Sequence, residues 1–259
     1  MDAVNVIWYQ GAGCSGCSVS VLNSVSPDIK EILLAELVPG KSVNLIFQPT
    51  VMAAGGELAA KVLRDAPQKP GYVLVLEGAL PAGEIGEKFC GLVTDSMAVI
   101  ALGSCASFGG ISKGTPNPAG CSSAEVCLKE HKIEKPLINI PGCPSHPDWF
   151  VGAVFHILYK GIPELDALSR PKLFYGGLVH ENCERRPYFD KGKFAKYFTD
   201  EGCLFELGCK GPYTNADCPI RSWNNKMNWC VQNGHPCIGC TEPEFPDGLS
   251  PFYKPLLKK

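Results

Sequence analysis

Val4-Asn5-Val6-Ile7-Trp8-Tyr9-Gln10-Gly11-Ala12-Gly13-Cys14-Ser15-Gly16-Cys17 runs from a short apolar strand into a glycine-rich turn that carries two cysteines. The same punctuation recurs downstream. Candidate strands Val4–Tyr9, Val43–Phe47, Tyr72–Glu77, Val99–Leu102 and Leu137–Ile140 are brief and rich in Val, Ile and Leu. Strands covered on both faces have this composition. Helix-like stretches such as Ala54–Leu63 and Trp149–Lys160 lie between them. Alternation of this kind predicts an α/β fold, a doubly wound parallel sheet.

Glycines and cysteines follow four of these five strands. Gly78 comes after the third, Gly103-Ser104-Cys105 after the fourth and Pro141-Gly142-Cys143-Pro144 after the fifth. In open parallel sheets, ligands bind in the crevice beyond the carboxyl ends of the strands. Three loops far apart in sequence are therefore expected to bring Cys14, Cys17, Cys105 and Cys143 to one place.

After about Pro171 the texture changes. Seven cysteines fall between Cys183 and Cys240, among repeated Gly, Pro, Asn and Asp and with few clear periods. So irregular a stretch buries little by itself, and bound metal would supply its order. Domains are expected at 1–168 and 169–259, the second smaller and largely irregular.

Bulk properties narrow the function. A net charge of −2 argues against a nucleic-acid surface or an anionic membrane surface as partner. No apolar run reaches the ~18–20 residues of a membrane span, and the Ser250–Lys259 terminus is too short and charged to anchor the chain. No secretory leader is visible. The expected compartment is periplasmic if a leader has been removed and cytoplasmic otherwise. Fourteen cysteines in 259 residues are many, but a chain this long needs no disulfide staples to fold, which favours metal binding.

Spacing sharpens that reading. The CxxC pairs Cys14/Cys17 and Cys237/Cys240 could each be a thioredoxin-like pair or half a zinc site. Each, however, has further cysteines to complete a set of four, as iron–sulfur cubanes require. Cys218 and Cys230 complete the second pair. Cys183, Cys203 and Cys209 need one more partner, and His180 stands three residues before Cys183. A lone histidine is more often an ordinary surface or core residue, but a neutral imidazole suits a solvent-near cluster and shifts its potential. Cys90, Cys121 and Cys127 remain over. Core packing is their default reading, with a Cys121–Cys127 disulfide conceivable but not required.

With these residues in place, the chain resembles the small, electron-transferring subunit of nickel–iron hydrogenases over nearly its whole length. The resemblance is carried by Cys14-Ser15-Gly16-Cys17, Gly103-Ser104-Cys105, Pro141-Gly142-Cys143-Pro144-Ser145-His146-Pro147-Asp148-Trp149, His180-Glu181-Asn182-Cys183, Gly208-Cys209-Lys210-Gly211-Pro212 and Pro236-Cys237-Ile238-Gly239-Cys240. It implies a flavodoxin-like first domain and an obligate large-subunit partner that holds the nickel–iron centre. It also implies three 4Fe–4S clusters: a proximal one on Cys14, Cys17, Cys105 and Cys143, a medial one on Cys218, Cys230, Cys237 and Cys240, and a distal one on His180, Cys183, Cys203 and Cys209. No catalytic residue is expected in this chain itself.

Three details refine the resemblance. Cys230 stands where many members have proline and a three-iron medial cluster, so a fourth thiolate implies a cubane. Gly16 and Gly110 stand where oxygen-tolerant members add cysteines, which implies an ordinary proximal cluster. Gly13 and Val19 replace frequent glutamates, and with Phe245-Pro246-Asp247-Gly248-Leu249-Ser250-Pro251-Phe252-Tyr253 they look most like the nickel–iron–selenium subgroup. An external carrier such as a multihaem cytochrome c or a ferredoxin would exchange electrons with the distal end. Arg185, Arg186, Lys191, Lys193 and Lys196 near Cys183 read first as a solvated face and second as a docking patch for an acidic carrier. Alternative readings are a multi-cluster subunit of another redox complex, a free ferredoxin-like carrier and an iron-free, disulfide-rich binding protein. The cluster subunit of respiratory complex I resembles only the N-terminal half.

Overall fold

The computed structural model describes residues 2–35, 39–66 and 71–256. The chain divides into two compact units, Met1–Pro171 and Lys172–Lys259. The C-terminal stretch expected not to anchor the chain runs beyond the described residues at Leu257–Lys259. Among the described residues, no helix is long and apolar enough to cross a membrane.

Five strands form the first unit's sheet: β1 (Asp2–Gln10), β2 (Lys41–Phe47), β3 (Tyr72–Glu77), β4 (Ser96–Leu102) and β5 (Leu137–Ile140). All pair in parallel, in the order β2-β1-β3-β4-β5. This is the flavodoxin-like order, whose direction reverses between β1 and β3. All six residues of β3 are buried, which explains why the strand reads as an unbroken apolar run ending in Glu77.

The helices are α1 (Gly16–Leu22), α2 (Ile29–Leu34), α3 (Gly56–Asp65), α4 (Glu84–Thr94), α5 (Gly103–Phe108), α6 (Gly110–Lys113), α7 (Ala124–Glu130) and α8 (Pro147–Lys160). On one face Ile7, Tyr9, Leu74 and Leu76 pack with Phe89, Val93, Cys127 and Leu128 from α4 and α7. Phe89 is fully buried, and truncation to alanine would cost about 3–5 kcal/mol. On the other face Trp8 meets Phe150 of α8, ring centroids 5.0 Å apart. Helix α8 starts sharply because Pro147 takes its first turn and His146 Nδ1 accepts from the Asp148 N–H at 3.0 Å. Gly161, with φ +85°, ends it.

The second unit has no sheet among its described residues. It is built of α9 (Lys172–Tyr175), α10 (Arg186–Asp190), α11 (Cys218–Arg221) and 3₁₀ turns of three or four residues. Buried Phe174, Tyr175, Leu204, Trp229 and Phe245 give it a small apolar centre. Loop backbone is held by side chains instead of ladders: Glu242 Oε1 accepts from the Asn215 N–H at 2.6 Å, and Glu181 Oε2 from the Leu178 N–H at 3.1 Å. The smaller, irregular region expected after the parallel sheet is thus present.

Candidate metal centres

At the carboxyl ends of the strands, the loops after β1, β3, β4 and β5 are stitched together. The Gly11 N–H donates to Glu77 O, and Ala12 and Ala79 exchange both backbone bonds, all at 2.8 Å. The Ser104 N–H donates to Gly142 O at 3.0 Å, while Ser104 Oγ accepts from the Gly142 N–H at 2.9 Å. Ser112 Oγ donates to Ala12 O at 2.7 Å and lies 3.6 Å from Cys105 Sγ. So close an approach requires residues without side chains. A Cβ on Gly78, at φ +86°, would sit 2.8 Å from Ala12 O, and one on Gly103, at φ +85°, would sit 2.5 Å from Cys17 Sγ.

Between these loops is a cavity of about 100 Å³ lined by Cys14, Cys17, Cys105 and Cys143, with Gly13, Gly78, Gly103 and Gly142 among its walls. The four cysteines expected to converge do so, although 129 residues separate the first from the last. Burial pushes the Cys17 thiol far above its usual range, with Glu77, Cys105 and Cys143 adding to the push. Burial also raises the Cys143 thiol, to about 11. Sulfurs so placed resist becoming bare thiolates, and a bound cationic centre removes that resistance. Gly110, at φ +47°, leaves no room for a side chain beside this set, since its Cβ would stand 2.8 Å from the Cys105 nitrogen.

Glu77 is a functional residue that sequence reading passed over. Buried at the end of β3, its carboxylate accepts from Trp8 Nε1 at 2.9 Å, Gln10 Nε2 at 3.1 Å, the Ser18 N–H at 2.9 Å and Ser18 Oγ. It thereby fixes the first turn of α1, which carries Cys17. A glutamate closing an otherwise apolar strand was the available signal.

In the second unit Cys183 opens a turn after the 3₁₀ segment Val179–Asn182, whose His180 ring meets Phe189 at 4.5 Å. His180 Nε2 is buried with no hydrogen-bond partner, an orphaned imidazole nitrogen that a metal would satisfy. Burial holds His180 below its ordinary pKa, aided by Arg186, and so keeps the imidazole neutral, as a ligand must be. Burial raises the Cys183 thiol to about 12, with Glu184, Cys209 and Cys203 contributing.

Cys218 starts α11, and burial raises its thiol well above the usual range, with Cys240, Cys237 and Cys230 adding to it. Cys209, expected in the other set, also lies close enough to act on Cys230 and Cys237. Cys209 and Cys237 adjoin: the Cys237 N–H donates to Cys209 Sγ at 3.4 Å, and the Lys210 N–H to Cys237 O at 2.7 Å. Lys210 is 1% exposed, and its Nζ donates to Lys254 O at 2.6 Å. Burial lowers its pKa, while Cys209 and Cys237 pull it back up. Nothing in the spacing foretold this buried cation beside Cys209 and Cys237.

The basic cluster near Cys183 is largely spent locally. Arg186 Nε donates to Asp190 Oδ1 at 2.8 Å, Lys193 Nζ to Glu201 Oε2 at 2.6 Å, and Arg185 to the carbonyls of Asp200 and Gly202 at 3.1 and 2.7 Å. The solvated-face reading is therefore the better one. Of the remaining cysteines, Cys121 is a buried free thiol and Cys127 pairs with Cys90, not with Cys121.

Residues 175–253 match the C-terminal family of the NiFe/NiFeSe hydrogenase small subunit, and residues 14–157 match the NADH ubiquinone oxidoreductase, 20 Kd subunit family. The chain is 44% identical to the periplasmic [NiFeSe] hydrogenase small subunit of Desulfomicrobium baculatum, over 96% of this chain and 86% of that protein. It is 42% identical to the periplasmic [NiFe] hydrogenase small subunit of Solidesulfovibrio fructosivorans, over 96% and 81%. The crystal structure of a reduced, active Ni-Fe-Se hydrogenase from Desulfomicrobium baculatum superposes with a TM-score of 0.91 at 44% identity, covering 98% of this chain and all of that one. The oxidised [NiFeSe] hydrogenase of Desulfovibrio vulgaris Hildenborough gives 0.89 at 40% identity, covering 98% of each. The chain therefore belongs to the small-subunit family of nickel–iron hydrogenases and is closely related to its nickel–iron–selenium subgroup.

Proposed function

We propose that this small subunit of a hydrogenase holds three 4Fe–4S clusters in series and conducts electrons between a large-subunit hydrogen site and an external carrier. The observation that carries the reading is the glycine-walled cavity at the strand ends, where four cysteines meet. Cys14, Cys17, Cys105 and Cys143 would hold the proximal cluster, in a domain spanning 1–168. Cys218, Cys230, Cys237 and Cys240 would hold the medial one, and His180, Cys183, Cys203 and Cys209 the distal one, both in a domain spanning 169–259. A bound cubane takes up and passes on one electron at a time.

The chain's own residues set how easily that happens. Glu77 places negative charge beside Cys17 and lowers the local potential, while Lys210 places positive charge between Cys209 and Cys237 and raises it. The Cys237 N–H bond to Cys209 Sγ gives a short covalent and hydrogen-bonded route between the medial and distal sets. His180 substitutes a neutral ligand for an anionic one at the end where the carrier docks.

The partner is the hydrogenase large subunit, forming a heterodimer in which H2 ⇌ 2H+ + 2e− is carried out at the partner's nickel–iron centre. Kinship with the selenium subgroup supports a selenocysteine there. A multihaem cytochrome c or a ferredoxin is the class of external carrier. The match of residues 14–157 to a respiratory-complex subunit supports a second reading, a cluster subunit of another redox complex, but that match does not reach the ligands after residue 157.

Metal analysis of the complex, purified without oxygen, separates the two. About 12 irons on this chain, with nickel and one further iron in the partner, support the proposal. Twelve irons without nickel would favour the second reading, and little iron in an intact complex would overturn both.

A further inference from the structure

Cys90, Cys127, His131 and Glu87 form a cluster that none of the three ligand sets uses. Cys90 lies on α4 three residues after Glu87, and Cys127 lies on α7 four residues before His131, so each pair shares one helix face. Both cysteines are 4% exposed, and they are joined as a disulfide with Cα atoms 6.8 Å apart. His131 Nδ1 lies 3.4 Å from Cys90 Sγ and 3.9 Å from Cys127 Sγ. Its other nitrogen, Nε2, lies 3.4 Å from Glu87 Oε2. The two sulfurs and the imidazole all lie within 4.8 Å of one another.

We infer that in the dithiol state Cys90, Cys127 and His131 bind one soft divalent cation of the zinc class. Two thiolates and an imidazole select zinc over magnesium or calcium, which prefer oxygen ligands. Three protein ligands leave a fourth position for water. Glu87 sits where metal-bound histidines keep a carboxylate: accepting the Nε2 proton, it leaves the Nδ1 lone pair facing the sulfurs. Nδ1 also lies 3.0 Å from Cys127 O, a contact that the metal-binding tautomer gives up.

The disulfide and the metal site exclude each other, because both need the same two sulfurs. A phosphine opens the bond with balanced atoms: disulfide, phosphine and water give two thiols and a phosphine oxide. Two thiols and Zn2+ then give a zinc dithiolate and release two protons. The side chain of His131, 35% exposed, is the approach to sulfurs that are otherwise covered. The site is thus filled or closed according to the thiol redox state, independently of the chain's cluster ligands.

The test uses the cluster-loaded heterodimer, kept without oxygen, with and without prior phosphine reduction. Each sample is freed of loose metal by a chelator and given one equivalent of Zn2+. Zinc and iron are counted, and the zinc X-ray absorption edge is recorded. Reduced protein should hold one more zinc per chain than unreduced protein at unchanged iron, with two sulfurs at about 2.3 Å and one nitrogen at about 2.0–2.1 Å. Cys127→Ser should lose that zinc. Glu87→Gln, a surface change that leaves the fold intact, should weaken binding roughly 10–100-fold. No extra zinc on reduction would overturn the inference, as would equal uptake by Cys127→Ser or an unchanged affinity in Glu87→Gln.

Discussion

Glu77→Gln should loosen the proximal site without disturbing the sheet. The wild-type carboxylate receives four donors: Ser18 N–H on Oε1, and Trp8 Nε1, Gln10 Nε2 and Ser18 Oγ on Oε2. A glutamine has one acceptor oxygen. Its least damaging placement keeps that oxygen at Oε2 and turns the amide NH2 towards the Ser18 N–H. An orphaned buried N–H costs about 1–3 kcal/mol, and three charge-assisted bonds that become neutral lose about 1 kcal/mol each. Relief from burying an ionised carboxylate offsets several kcal/mol of this. The net loss is about 2 kcal/mol, a fall of about 4–8 °C in the denaturation temperature of a domain of this size. Calorimetry of the complex measures it, and a redox titration should show the proximal potential rising as a nearby negative charge is removed. A variant that unfolds at the wild-type temperature with an unchanged potential would refute the anchoring role.

Gly103→Ala should abolish proximal-cluster loading, because its Cβ would fall 2.5 Å from Cys17 Sγ at a backbone angle that alanine avoids; a loss of about four irons by metal analysis checks it. Cys230→Pro should remove about one iron and produce the paramagnetic signature of an oxidised three-iron medial cluster, and a full iron count would refute the ligand role. His180→Ala should slow electron delivery to the natural carrier by roughly tenfold or more while a small dye bypasses most of the loss; equal rates with the carrier would count against a distal role. Cluster reconstitution into apoprotein should accelerate by about tenfold per pH unit for each thiol that ionises before its first metal bond, between pH 7 and 9. The sign follows from folded-state pKa values of about 11 for Cys143 and about 12 for Cys183: thiolate is the minor form in this range and grows with pH.

Much of the first unit was legible because parallel strands announce themselves. Tyr72–Glu77 and Leu137–Ile140 fall on β3 and β5 to the residue, and Val4–Tyr9 and Val99–Leu102 lie inside longer strands. Helix α8 begins two residues before the expected Trp149, since Pro147 belongs to its first turn. Convergence of Cys14, Cys17, Cys105 and Cys143 was legible too, because the doubly wound topology sends successive loops to one edge. The Cys90–Cys127 pair was not: its partner choice depends on α4 packing against α7 across 37 residues, and separation in sequence favoured Cys121. Lys210 was equally silent. A lysine between cysteines reads as solvent-facing until the fold surrounds it with carbonyl oxygens.

The spacing of the first cysteine set has a consequence for how the protein is made. Cys14 is made before β2 and Cys143 only after β5, and they meet where the strand ends close around Gly78 and Gly103. A metal centre bound there would therefore require all three cysteine-bearing loops to be in place. A chain with β1, β4 or β5 out of register would present at most three of the four sulfurs, so loading of the site would report on the scaffold that receives it.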